Sequence, residues 1–345
     1  MRRLALAVAG LAVALLAVEL GVRVLAPQPV GAAASHPLLR GPLDVPGDHP
    51  VRTAEYDVVV HVNARGFVDR EWGAREGRRV VVIGDSFVQA AQVPLDAGYG
   101  RVLDGLLPDA EVLSMGVPGA GTATALGVLE AYALPERPDV VVLGFLVAND
   151  VMNNHPLLEG KDDKPFYALR DGELVLTDAA ASLAPRGLLW EASHLFRWVS
   201  RTLATREATR RKLALGGGLP VEHRVHDPSP DPTWEEAWAV TDALVAALAA
   251  RCEAAGVRFA TVLFPDATQV YGARYPEMAT WDLTAAQARA GALAGAHGPV
   301  LDLLPAFRAG GPGLYFEADG HWTIAGHRLA AEATAPFVAD ILTSK

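Results

Sequence analysis

The sequence predicts an α/β fold built on a parallel sheet of about five strands. Two observations carry this expectation: short runs rich in β-branched residues recur along the chain, and helix-length amphipathic segments separate them. The runs fall at residues 80–83, 111–115, 140–146, 257–264 and 300–303, and such short runs, rich in β-branched residues, suit strands covered on both faces. Helices are expected at 99–107, 122–133, 233–255, 284–296 and 323–342. Before them, residues 56–62 alternate like a strand, and Asn63-Ala64-Arg65-Gly66 reads as the turn after it.

The 345 residues, 51% of them apolar, are enough to bury a sizeable core. A net charge of −10 and the lack of any long basic run with interleaved aromatics argue against a nucleic-acid partner; the basic stretch 206–212 is too short to change this. Cys252 is the only cysteine, so neither a disulfide framework nor a cysteine-based zinc site can form, and a buried structural thiol is the expectation.

Arg2 and Arg3 precede an uncharged, almost wholly apolar run at 4–18, which continues through Glu19 and Arg23 to Ala26. This reads as an uncleaved transmembrane anchor over 1–26, with its basic tip inside and the bulk of the chain outside the cytoplasm. Glu19 and Arg23, four apart, are placed to pair on one helix face. A cleaved signal peptide is the competing reading, because Ala32-Ala33-Ala34 offers small residues. A proline-rich tether is expected at 27–52, then the catalytic domain at 53–345. Within it the strand–helix rhythm breaks at about 153–232. There a hairpin around Asp171-Gly172 and an amphipathic segment at 188–203 suggest an inserted helical lid. Trp190, Phe196, Trp198 and Tyr271 are expected in the core rather than in a binding site.

Four short pieces bear chemistry. Gly84-Asp85-Ser86-Phe87 comes after the first strand, where open α/β sheets place their sites, and offers a serine hydroxyl. The glycine-rich stretch from Gly116 to Thr122 comes after the second strand; a glycine N–H there can approach an oxyanion without a side chain in the way. A phosphate loop is poorly supported, since the stretch lacks a Lys-Ser/Thr and Thr124 stands where a third glycine belongs. Asn149-Asp150 ends the third strand, offering an amide donor and a carboxylate to cap the next segment. Asp319-Gly320-His321-Trp322 puts a carboxylate two residues before an imidazole, a spacing that can orient the ring. Neither a metal nor an organic cofactor is called for, and His327 is expected to pack within the last helix.

In this order the four blocks resemble those of the SGNH hydrolases, the GDSL-type esterase superfamily. The resemblance covers roughly residues 56–342 and implies a flavodoxin-like three-layer sandwich. It implies Ser86 as nucleophile, His321 as base and Asp319 as its orienting acid, with an oxyanion hole formed by Ser86, Gly119 and Asn149. Gly116 and Gly121 compete for the glycine role. The D-x-H-W form is similar to polysaccharide O-acetylation proteins of the alginate type. Two departures stand out: Phe87 replaces the leucine of the GDSL signature, and Ala148 stands where glycine often precedes Asn-Asp.

These readings lead to a serine esterase acting on acyl groups, O-acetyl above all, of a carbohydrate or cell-envelope substrate. The alternatives are an O-acyltransferase working beside an integral-membrane acyl donor, and a noncatalytic envelope-binding protein that retains the fold.

Overall fold

The computed structural model describes residues 2–25, 43–160, 164–177, 192–215, 217 and 219–344. An antiparallel pair, β1 (Gly47–Arg52) and β2 (Asp57–Val62), precedes the central sheet. The next strands are β3 (Arg78–Gly84), β4 (Ala110–Gly116) and β5 (Val140–Leu146), all predicted from their apolar runs. A separate hairpin comes next, β6 (Tyr167–Arg170) and β7 (Glu173–Leu176), turning at Asp171-Gly172 as expected. The last strands are β8 (Arg258–Phe264) and β9 (Val300–Asp302). The five-stranded sheet runs in the order β4-β3-β5-β8-β9 with every pair parallel.

Side-chain alternation along these strands produces three layers. Val81, Ile83, Leu113, Met115, Val141 and Leu143 point to one face, where they meet the helices Thr122–Val128, Pro232–Ala254 and Ala285–Gly295. Val80, Val82, Val112, Val140, Val142 and Val262 point to the other, covered by Tyr99–Leu106, Leu304–Ala309 and Ile324–Thr343. Trp322 is wholly buried in this second core, stacked on Phe307 and edge-on to Phe87, Phe264 and Tyr99. Cys252 is buried in the first core, and burial pushes its thiol up to about 12. His327 is buried and accepts the Tyr99 N–H at 3.2 Å; burial, with the nearby His321 second, lowers it to about 3, so it packs as a neutral ring.

The chain leaves β3 for β4 on one side and later returns to β5 on the other, so β3 lies at the point where strand order reverses. Ligand crevices in open α/β sheets form at the carboxyl ends of strands at such a point. Ser86 stands two residues beyond the end of β3.

Three expectations need correction. Residues 47–52 are not tether: they form β1, whose Pro50 is tolerated because the two-stranded sheet leaves its outer side unpaired. Of the rest of the tether, 43–46 meets the domain, with Leu43 buried in its core and Asp44 accepting from Gln89, and 27–42 lies outside the described residues, as do 178–191 of the insertion, Trp190 included. The N-terminal segment is helical over Arg2–Leu25, but among the described residues no helix is long and apolar enough to cross a membrane. Its uncharged stretch, 4–18, rises only ~22 Å at 1.5 Å per residue, against the ~30 Å of a hydrocarbon core.

The expected Glu19–Arg23 pair forms at 2.6 Å, and Glu19 also turns back onto the protein. It accepts the N–H groups of His194 and Leu195 and the Ser193 hydroxyl at the start of the helix His194–Leu215. These contacts hold the Glu19 carboxyl at about 2, the Leu195 N–H contributing most. Phe196, Trp198 and Tyr271, expected in the core, are each more than 40% exposed.

Candidate active site

The strand-end glycines explain why the nucleophile block folds as it does. A Cβ on Gly84 would lie 2.6 Å from Val88 Cγ2 and 2.8 Å from the Gly144 carbonyl, and one on Gly116 would lie 2.0 Å from the Gln89 nitrogen. Only glycine lets the short helix Ser86–Gln89 sit down between β4 and β5. Asp85 caps that helix, its Oδ1 accepting the Phe87 N–H at 2.9 Å. Ser86 is thereby fixed at the first helical position, where backbone N–H groups face outward.

The turn at 317–321 brings the imidazole to it from the other end of the chain. His321 Nε2 is 2.7 Å from Ser86 Oγ, and Nδ1 is 2.5 Å from Asp319 Oδ1. With Nδ1–H donating to the carboxylate, Nε2 is free to accept the serine proton. The Phe87 ring lies 4.9 Å from the His321 ring and 5.0 Å from Trp322. The phenylalanine that departs from the GDSL signature therefore fills the space between the nucleophile turn and the His-Trp pair.

The glycine-rich loop resolves into separate roles. Gly116 is committed to the close approach above, and a Cβ on Gly121 would lie 2.8 Å from both Asn153 Cβ and Asn154 Oδ1. Gly119 alone of the three has a left-handed backbone, φ +65°, and its N–H has no acceptor among the described residues. Its carbonyl is held from behind by Asn153 Nδ2 at 3.0 Å and by the Lys164 ammonium. Lys164 also pairs with the buried Glu159 at 2.7 Å. Sequence reasoning missed Lys164, because it enters from the insertion with no motif around it.

Asn149-Asp150 lies in the first turn of the helix Val147–Asn153 rather than at the end of a strand; Ala148 fits there because the position is helical. Asn149 Nδ2 donates to Asp85 Oδ2 at 3.2 Å, which ties the amide to the nucleophile block and leaves its second N–H for a ligand. Asp150 does not serve as the expected cap for a later segment. It reaches back to accept the Leu146 N–H at 2.8 Å and the Thr122 hydroxyl at 3.3 Å. Burial raises the pKa of Asp85, and burial together with the charge of Asp85 raises that of Asp150 well above the usual carboxylate range.

A cleft of about 550 Å³ adjoins the histidine turn, lined by Tyr271, Arg274, Tyr315, Phe316, Glu317 and Gly320. Ser86, Gly119 and Asn149 follow the carboxyl ends of β3, β4 and β5, and the turn at 317–321 brings Asp319 and His321 to the nucleophile there.

With that geometry in place, residues 226–344 match the family model described as "SGNH hydrolase-like domain, acetyltransferase AlgX". The match covers the last third of the chain, which is similar to an SGNH hydrolase-like domain. The matched segment holds Asp319 and His321, whereas Ser86, Gly119 and Asn149 lie before it. No curated protein sequence matches the chain. Among solved structures, the chain is similar to the acetylxylan esterase Axe2 from Geobacillus stearothermophilus, at 14% identity over 79% of this chain and 98% of that one, TM-score 0.42. It is also similar to TesA (16% identity, 76% and 99% covered, TM-score 0.43) and to a lipase/acylhydrolase from Enterococcus faecalis (17%, 76% and 95%, TM-score 0.40). The match at the histidine end and the serine–histidine–aspartate geometry together support an ester-acting serine hydrolase.

Proposed function

We propose that the protein hydrolyses acyl esters, O-acetyl groups in particular, on a carbohydrate or cell-envelope substrate through a serine acyl-enzyme. The observation that carries this reading is the unbroken chain Ser86 Oγ, His321, Asp319, with contacts of 2.7 and 2.5 Å. His321 takes the Ser86 proton as Oγ attacks the ester carbonyl, and Asp319 steadies the imidazolium that forms. The oxyanion is met by the N–H groups of Ser86 and Gly119 and by the second N–H of Asn149. His321 then protonates the leaving alkoxide, and a water activated by the same ring releases the acid and restores the serine. The adjoining cleft, with Tyr271 49% exposed, offers an aromatic surface of a kind that suits a sugar ring.

A fluorophosphonate probe is expected to label the wild type and not Ser86→Ala. Equal labelling of both proteins overturns the nucleophile assignment.

The matching family model, named for an acetyltransferase, favours a second reading in which the acyl group passes to a sugar hydroxyl instead of water, supplied by an integral-membrane donor. Product analysis with an acylated donor and a glycan acceptor separates the two. Acylated glycan in preference to free acid selects the transferase, and free acid regardless of acceptor selects the esterase. A noncatalytic binding role has no support in a triad this well connected, and turnover of a short acyl ester tests it directly.

For location, we propose an extracytoplasmic domain held at a membrane by the N-terminal helix. Leu6, Leu11, Leu15, Leu16 and Leu20 of that helix are all more than 50% exposed, a surface that favours lipid contact. Release of the full chain into the soluble fraction without detergent would discard this placement.

A further inference from the structure

The acid of the triad sits on a turn with few hydrogen bonds of its own. Within it, the Phe316 N–H donates to the His321 carbonyl and the Gly320 N–H to the Phe316 carbonyl, and an isolated bridge joins Tyr315 to Trp322. Asp319 and His321 side chains are each 24% exposed, so water reaches them.

The connection between β1 and β2 supplies what the turn lacks, from more than 260 residues away in sequence. Glu55 accepts the N–H groups of Ala318 and Asp319 at 3.0 and 2.8 Å. Tyr56 donates its hydroxyl to Asp319 Oδ2 at 3.0 Å, while its ring lies 5.1 Å from that of Phe316. The connection is itself braced. Thr53 Oγ1 accepts the N–H groups of Glu55 and Tyr56, and Arg52 pairs with Asp57 at 2.5 Å across its base.

We propose that Tyr56, seconded by Glu55, is a positioning residue for Asp319: its hydroxyl fixes the carboxylate plane so that Oδ1 faces His321 Nδ1. The proposal rests on reading Ser86, His321 and Asp319 as the triad. The two carboxylate oxygens are divided cleanly. Oδ1 takes the His321 Nδ1 and, at 3.3 Å, the His321 N–H, and Oδ2 takes Tyr56. Without the phenol, Oδ2 would face water, and the carboxylate would be free to rotate and to offer either oxygen. The phenol also draws part of the carboxylate charge away from the imidazole. Partial burial and then the Asp319 carboxylate push the Tyr56 hydroxyl up to about 12, so it remains a donor throughout the neutral range. A turn serving only to pack the chain would have no use for a hydroxyl aimed at this oxygen.

The test uses the full chain, p-nitrophenyl acetate as substrate, and fluorophosphonate labelling of Ser86 as a second readout. Tyr56→Phe keeps the ring against Phe316 and removes only the donor. It is expected to lower kcat and the labelling rate about tenfold, the scale of one charge-assisted hydrogen bond, with KM within about twofold. The acid limb of its kcat/KM profile is expected to move to higher pH, because the full carboxylate charge then falls on the imidazolium. Glu55→Ala, which leaves the phenol and frees the turn, is expected to lower kcat in the same way, and it decides the matter if Tyr56→Phe does not fold. A Tyr56→Phe protein with wild-type kcat and an unmoved acid limb overturns the proposal. Failure of the wild type itself to label at Ser86 would instead overturn the triad beneath it.

Discussion

Ser86 rises from a strand whose residues Val80 to Ile83 have no accessible surface, whereas Asp319 and His321 stand on an irregular turn that meets solvent. The first side of the site is held by volume. Glycines at 84 and 116 leave no room for a Cβ, two cores press on β3 from both faces, and Asp85 and Asn149 are linked beneath the nucleophile. The second side is held by individual hydrogen bonds, several of them supplied by Glu55 and Tyr56. Packing is insensitive to any one contact but tolerates no added atom. A hydrogen-bonded turn tolerates added bulk at its exposed positions and depends on each partner.

The sharpest way to test this contrast is to compare removal of the reacting groups on each side. Ser86→Ala is expected to lower kcat for an acetyl ester by at least about 10⁴-fold, with an unchanged melting temperature. Asp319→Ala is expected to cost about 10²- to 10⁴-fold. Because its turn is exposed, added formate is expected to restore part of the Asp319→Ala rate, which would break the symmetry between the two sides. No recovery at any formate concentration would show that turn to be as closed as the strand end.

Lys164 is a long-range polar clamp on the packed side. Lys164→Met releases the Gly119 carbonyl and is expected to lower kcat about tenfold with KM little changed. An unaltered kcat would mean that Asn153 alone holds the loop.

Arg79 tests the foundation of β3. Its guanidinium is 2% exposed and pairs with Glu111 at 2.7 Å and Glu136 at 2.8 Å. Arg79→Met leaves Glu111 only Arg70 and Glu136 only Arg65 as cationic partners, and is expected to cost about 3 kcal/mol in denaturant unfolding, while per-molecule turnover of the folded fraction is preserved.

The smallest effect concerns the buried acids. Since the folded-state pKa of Asp150 is raised, its contribution to stability is full below the ordinary carboxylate range and is lost as pH rises through the folded value. Asp150→Asn keeps an acceptor for the Leu146 N–H and removes the repulsion from Asp85. Its melting temperature relative to wild type should therefore be more favourable at pH 8 than at pH 4. The reverse trend would mean that Asp150 is held ionised in the fold.

The same contrast explains how much of the molecule was legible in its sequence. The sheet strands announced themselves because burial in the sheet demands short, largely apolar runs rich in β-branched residues, and Ser86 was found from its place after one of them. Asp319 and His321 were readable as a close pair in sequence. Their supports were not: Glu55, Tyr56 and Lys164 are ordinary surface residue types whose meaning comes from partners far along the chain. β1 was hidden for another reason, since Gly-Asp-His-Pro-Val-Arg has the composition of a linker and becomes a strand only through its pairing with Asp57–Val62. Gly119 could be separated from Gly116 and Gly121 only by backbone angle and clearance, which composition does not encode.

The contact between Glu19 and the start of the helix His194–Leu215 carries a practical consequence. Trimming away the first 25 residues to obtain an easily handled enzyme would leave two backbone amides and a serine at that helix start without their acceptor. A shortened protein of that kind would report on the chemistry of Ser86 faithfully, yet misrepresent the mobility of the inserted helix and any substrate preference that helix imposes.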